Sequence, residues 1–189
     1  MDLVFFGIQG SGKGTQAKKL VAEFGYDIFE AGGELRKIAA SGSELGKTVS
    51  GFIDHGHLVP HAIIMQVVKE ATAARPKQTK ILFDGIPRDE NQMRDFDAIM
   101  GEAGRDFMCI HFLLSEDEAK RRILGRAKAE GRADDADDAI IERRMNTFLE
   151  KTMPVIRKYQ AEGKIVEIDA SGGVDSIYEA LKASVKRLS

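Results

Sequence analysis

Short apolar runs alternate with longer stretches of helical spacing along this chain. Leu3 to Ile8, Asp27 to Phe29, Ile81 to Phe83, Met108 to Leu114 and Ile165 to Ile168 read as strands buried on both faces. Apolar runs of this kind, separated by helices, are the pattern of a parallel sheet with crossover connections. Helical spacing runs through Lys13 to Phe24, Ala62 to Ala74, Glu116 to Ala129, Ala139 to Ala161 and Val174 to Leu188, with Thr15, Ser115 and Ser171 near helix starts. The pattern predicts one α/β unit, a five-stranded parallel sheet whose connections are right-handed.

Two segments break the alternation. Glu30 to Pro60 holds two short helical patterns interrupted by Gly42, Gly46, Gly51 and Gly56, and reads as a small helical insert. Arg126 to Asp138 is polar and has no apolar period. Both are candidate mobile covers for a site. The division expected is core over 1–29, insert over 30–59, core over 60–125, a short lid over 126–138 and core over 139–189.

Composition narrows the function classes. In 189 residues, 28 Lys and Arg stand against 30 Asp and Glu, for a formal charge of −2, and 43% of positions are apolar. No global basic field is present to hold a nucleic acid, so any anion site must be built locally. No apolar stretch approaches the roughly 18 to 20 residues a bilayer demands, and the acidic start Met1-Asp2 does not resemble a signal peptide. A lone Cys109 can form neither an internal disulfide nor a four-cysteine zinc site. These features lead to the expectation of a cytoplasmic protein without structural zinc.

The first strand runs into Gly7-Ile8-Gln9-Gly10-Ser11-Gly12-Lys13-Gly14-Thr15, which opens a helix. A glycine-rich turn at a helix N-terminus aims successive backbone N–H groups at one anion, and Lys13 can then reach the outer phosphates of a nucleotide. The strict pattern wants Ser or Thr directly after the lysine, whereas Gly14 stands there and Thr15 follows.

Further chemistry lies downstream. Asp84-Gly85-Ile86-Pro87-Arg88 ends the third apolar run. A carboxylate at the end of a buried strand beside a phosphate loop can hold Mg²⁺ through water, and the Arg88 fork matches phosphate oxygens. Arg122 and Arg126 share a helix face at i and i+4, a repulsive pair that an anion would relieve. Glu118 could instead supply Arg122 with an ordinary ion pair. Lys120, Arg121, Arg122, Arg126, Lys128 and Arg132 put six cations in thirteen residues. The stripe Ile141, Met145, Phe148, Leu149, Thr152 aims Arg143 away from the core. His55, His57 and His61 read as loop or helix-start residues and His111 as a residue of a buried strand.

The string Gly-x-x-Gly-x-Gly-Lys-Gly-Thr resembles the phosphate loop of the nucleoside monophosphate kinases, adenylate kinases above all. Asp84-Gly85-Ile86-Pro87-Arg88 and the Arg122-x-x-x-Arg126 pair match it at corresponding separations. That resemblance implies the P-loop NTPase fold with a helical insert binding the monophosphate, a short lid, and Mg·ATP and AMP as substrates interconverted with two ADP. It places the donor on Gly10, Ser11, Gly12, Lys13, Gly14 and Thr15, with Arg122 against its adenine, Arg126 on its phosphates and backbone near Gly172 holding its base. It places the acceptor on Ala31, Gly32, Arg36, Gly85, Arg88 and Gln92, with backbone of His57, Leu58 and Val59 meeting the base. Arg132 and Arg143 would close over the transferring group, and Asp134 and Asp135 would anchor the lid. Short-lid relatives suggest a monomer.

The departures keep alternatives open. Glu30-Ala31-Gly32-Gly33 stands where adenylate kinases usually carry Ser-Thr-Gly-Asp, and Ala31 is typical of pyrimidine kinases acting on UMP or CMP. Gln92 points back to AMP, since those relatives usually carry Asn there. A regulatory GTPase would need an Asn-Lys-x-Asp string, which is absent. A non-catalytic nucleotide-binding protein would have no use for Lys13, Arg88, Arg122, Arg132 and Arg143 together.

Overall fold

A computed structural model describes residues 1–130 and 137–188, with the backbone alone for 126–130. Five strands, β1 (Asp2–Phe6), β2 (Asp27–Glu30), β3 (Ile81–Asp84), β4 (Phe107–Leu113) and β5 (Ile165–Asp169), form one parallel sheet in the order β2-β3-β1-β4-β5. The chain visits one edge first, through β2 and β3, and then passes β1 to reach β4 and β5. β1 is therefore central, with Leu3 opposite both Leu82 and Met108.

Alternation along β1 builds two core layers. Leu3 and Phe5 face α1 (Lys13–Phe24) and α9 (Val174–Leu188), packing with Leu20, Phe112, Ile177 and Leu181. Val4 and Phe6 face the opposite layer with Phe29, Phe83, Phe96, Val155 and Tyr159. That layer is covered by α4 (His61–Ala73), α5 (Glu90–Glu102) and α8 (Met153–Ala161), and extends to α2 (Ala31–Ala39) and α3 (Glu44–Ile53). A third, smaller cluster, Ile8, Ala119, Ile123, Ile141 and Met145, joins α6 (Glu116–Glu130) to α7 (Asp138–Thr147) beside the first loop.

Several expectations change. β1 ends at Phe6, so Gly7 and Ile8 belong to the loop. Burial on both faces holds for β1 but not for the edge strands: Asp27 and Glu30 of β2 are exposed, and in β5 only Ile168 is buried. Helix α5 lies where no helical spacing was read; Asp89 caps it by accepting from Gln92 N–H at 2.9 Å. The single helix expected over 139–161 is α7 and α8 joined by a π turn, Phe148–Thr152, and Leu149 is 38% exposed rather than part of the buried stripe. Ser115 caps α6 at 3.4 Å from Glu118 N–H. Thr15 lies in the first turn of α1, which starts after Gly12, and Ser171 lies three residues before α9, where Ile177 N–H bonds the Gly173 carbonyl.

Candidate active site

The carboxyl ends of β1, β2 and β3 open into one cavity of about 550 Å³, the position at which open parallel sheets hold ligands. Gly7, Gln9 and Lys13 of the loop after β1 form one wall, while Gly10, Ser11, Gly12, Gly14 and Thr15 lie beyond the cavity lining. Gly10 and Gly12 adopt φ of +88° and +86°, a region costly for other residues. A Cβ at Gly10 would also stand 2.6 Å from the Ala119 carbonyl, so the loop lies flat on α6. A Cβ at Gly12 or Gly14, by contrast, would meet nothing within 4 Å among the described residues. The Lys13 ammonium folds back over this loop, donating to the carbonyls of Gly7 at 2.7 Å and Ile8 at 3.3 Å and to Ser11 Oγ at 3.4 Å.

The cavity floor is Asp84, Gly85 and Arg88. Loss of hydration pushes the Asp84 carboxyl above its ordinary range; Lys13 opposes this and Glu30 adds to it. Loss of hydration among the cleft walls likewise holds the Arg88 guanidinium below its ordinary range, with Asp84 opposing and Arg144 and Arg36 adding. Arginine still remains charged at neutral pH. Arg88 is fixed from three directions: its Nε donates to the Gly85 carbonyl at 2.7 Å, its N–H to Gln92 Oε1 at 2.8 Å, and its carbonyl accepts from Thr152 Oγ1 at 2.8 Å. Gln92 is 3% exposed. The far wall brings Ala31, Gly32 and Arg36 of α2 together with His57, Leu58 and Val59.

The remaining expected residues lie elsewhere. Arg122 takes the ordinary ion pair, 2.7 Å from Glu118, and also donates to the Ala170 and Ser171 carbonyls at 2.9 and 3.2 Å. It thereby joins α6 to the turn after β5 that carries Gly172. Arg126 lies on α6, its side chain outside the description. Arg132, Asp134 and Asp135 lie outside the described residues. Arg143 does not line the cavity; its guanidinium donates to the His55 carbonyl.

Arg144 lines it instead, with Thr147, Phe148 and Thr152. Helix geometry explains the exchange: Arg144 lies about 60° from Ile141 around α7, on the buried side, whereas Arg143 lies about 160° away. Ile141 and Met145 are 0% and 6% exposed, so Arg144 flanks the face that packs toward the loop. That signal was present in the sequence. Glu30, which also lines the cavity, had no comparable one.

The adenylate kinase profile matches residues 5–164. The chain belongs to the adenylate kinase family. It is similar to an adenylate kinase of Thermus thermophilus, 35% identical over 184 residues, covering 97% of this chain and 96% of that one. An adenylate kinase of Maricaulis maris is 33% identical over 187 residues, covering 98% and 99% of the two chains. Adenylate kinase isoenzyme 1 of Caenorhabditis elegans is 38% identical over 188 residues, covering 97% and 88%. Membership of the adenylate kinase family makes the chain a nucleoside monophosphate kinase, a phosphotransferase. It favours the adenylate kinase reading over a pyrimidine kinase or a non-catalytic nucleotide-binding protein, and the five-stranded parallel sheet flanked by helices agrees with the P-loop NTPase fold of that family. No described helix is long and apolar enough to cross a membrane.

Proposed function

We propose that this cleft reversibly transfers the γ-phosphoryl group of Mg·ATP to AMP, giving two ADP. The observation that carries the reading is the convergence of Lys13, Arg36, Arg88 and Arg144 around Asp84 in one cavity. Phosphoryl transfer passes through a loose, highly charged transition state, so fixed cations and alignment supply most of the acceleration.

In this reading Gly10 to Thr15 cradle the donor phosphates, and Lys13 exchanges its loop carbonyls for them. Arg122, Arg126 and Gly172 hold the donor base and phosphates. Arg36 and Arg88 grip the acceptor phosphate, while Gln92, Ala31, Gly32, Gly85 and the backbone of His57, Leu58 and Val59 frame its nucleoside. Arg144 joins Arg132 and Arg143 as a cation for the transferring group. The insert over 30–59 and the lid over 126–138, with Asp134 and Asp135 as anchors, close on the nucleotides and exclude water that would otherwise accept the phosphoryl group.

Asp84 is the residue that would hold Mg²⁺. A carboxylate at the cleft floor beside Lys13 fits an ion carried in by nucleotide phosphates, which keeps several waters and takes one or two protein carboxylates. When bound, the ion supplies neutralisation of phosphate charge. We further read the protein as a cytoplasmic monomer that binds neither nucleic acid nor membrane and needs no structural zinc.

The test offers Mg·ATP with AMP, CMP, UMP and GMP in separate assays. AMP is expected to give the highest kcat/KM; a faster CMP or UMP reaction would overturn the acceptor and leave the transfer mechanism standing. Lys13→Met and Arg88→Ala should each lower turnover by orders of magnitude with the fold intact. Near-normal rates would remove those residues from the mechanism.

A further inference from the structure

Glu30 closes β2 directly opposite Asp84 in the register of β2 and β3. Its side chain bends over the first turn of α2. Oε1 accepts a 2.8 Å hydrogen bond from Arg36 Nη2, and Oε2 lies 3.2 Å from where a Cβ at Gly33 would stand. Arg36 Nη1 in turn lies 3.1 Å from where a Cβ at Gly32 would stand. The two glycines thus leave the room that this ion pair occupies. Glu30, Arg36, Asp84 and Arg88 all line the same cavity.

We infer that Glu30 is an intramolecular competitor for the acceptor phosphate and sets the affinity of the acceptor site. The inference rests on the reading of this cavity as that site. A carboxylate and a phosphate accept from the same edge of a guanidinium fork, so an incoming monophosphate must take Arg36 from Glu30. The displaced carboxylate then stays beside the phosphate as a like charge. Both effects act in one direction, weakening acceptor binding. Both partners are about half exposed, at 48% and 54%; a pair of that kind is screened and weak, which bounds the effect at roughly two- to five-fold in affinity. The donor loop lies on the other wall, where Lys13 bonds to Gly7, Ile8 and Ser11.

Glu30→Gln keeps the length and the accepting oxygen and removes the charge. Binding of AMP is measured by calorimetry, with KM for AMP at saturating Mg·ATP and KM for Mg·ATP at saturating AMP, in the wild type and the variant. The variant is expected to bind AMP about two- to five-fold more tightly, with a matching fall in KM for AMP, little change in KM for Mg·ATP, and a difference that narrows as ionic strength rises. Unchanged or weaker AMP binding in the variant overturns the inference and makes Glu30 a support for Arg36 instead. Failure of the acceptor reading shows separately, as a wild-type protein that does not phosphorylate AMP at all.

Discussion

Thr152 Oγ1 donates a 2.8 Å hydrogen bond to the carbonyl oxygen of Arg88. A hydroxyl inside the π turn between α7 and α8 therefore fastens the backbone that presents a cleft arginine. Thr152 itself is buried, 5% exposed.

Thr152→Val keeps the shape and removes the donor. A hydrogen bond of this kind contributes about 0.5–1.5 kcal/mol, and the expected result in urea unfolding is a loss within that range. KM for the acceptor should rise several-fold because Arg88 loses one of its fixings, while Thr152→Ser restores both. A normal KM in the valine variant would limit Thr152 to stability.

Arg143 and Arg144 are adjacent, yet only Arg144 lines the cavity. Arg144→Ala is expected to lower kcat by about 10²-fold or more, the scale of losing one charge-stabilising group in a transition state. Arg143→Ala should cost much less, since its guanidinium holds the His55 carbonyl. Steady-state kinetics of the two variants decide the matter, and the reverse ranking would make Arg143 the principal cation of the two.

The N-terminal strand carries a buried ion pair. Arg105 donates to Asp2 at 2.6 and 3.0 Å, both side chains are 4% exposed, and Asp2 also accepts from Ile81 N–H at 2.8 Å. Arg105→Ala strands a buried carboxylate, and the expected destabilisation is about 3–5 kcal/mol. Chemical unfolding measures it; a loss below about 1 kcal/mol would show that water reaches Asp2.

His111 governs an acid limb of stability. Loss of hydration lowers its pKa, Glu167 opposes, and Lys13 adds to the lowering; its Nδ1 stands 3.7 Å from Glu167 Oε1, beyond hydrogen-bond length. The native ring is thus neutral where the unfolded ring, with a pKa of about 6.5, begins to take a proton. Stability from this residue is complete above that value and is lost as pH falls through it toward the lower native pKa. His111→Phe should therefore show a smaller drop in urea midpoint between about pH 7.5 and pH 5 than the wild type. Equal drops in the two proteins would assign the acid limb to carboxylates.

The elements most legible in the sequence were those with local punctuation. Helix α1 begins after Gly12 and ends before Gly25, both left-handed, and its bounds match the apolar spacing. Helix α5 escaped because Asn91, Arg94, Asp95 and Asp97 dilute its period, leaving Met93, Phe96 and Met100 as the buried face. The phosphate loop was legible because it follows β1 directly, Asp84 because it ends β3, and Arg88 because it stands four residues beyond. Glu30 was not: its partner lies on the next element, and only the bend between β2 and α2 brings the two together.

The central place of β1 also orders events during synthesis. Its hydrogen-bonding neighbours lie near residues 82 and 108, and long-range pairings of this kind form slowly. The glycine-rich turn after β1 must therefore wait until β4 has been made before its supporting ladder exists on both sides. Nascent fragments ending before β4 would expose an unfinished apolar edge, and a ligand could gain no purchase until that edge is covered.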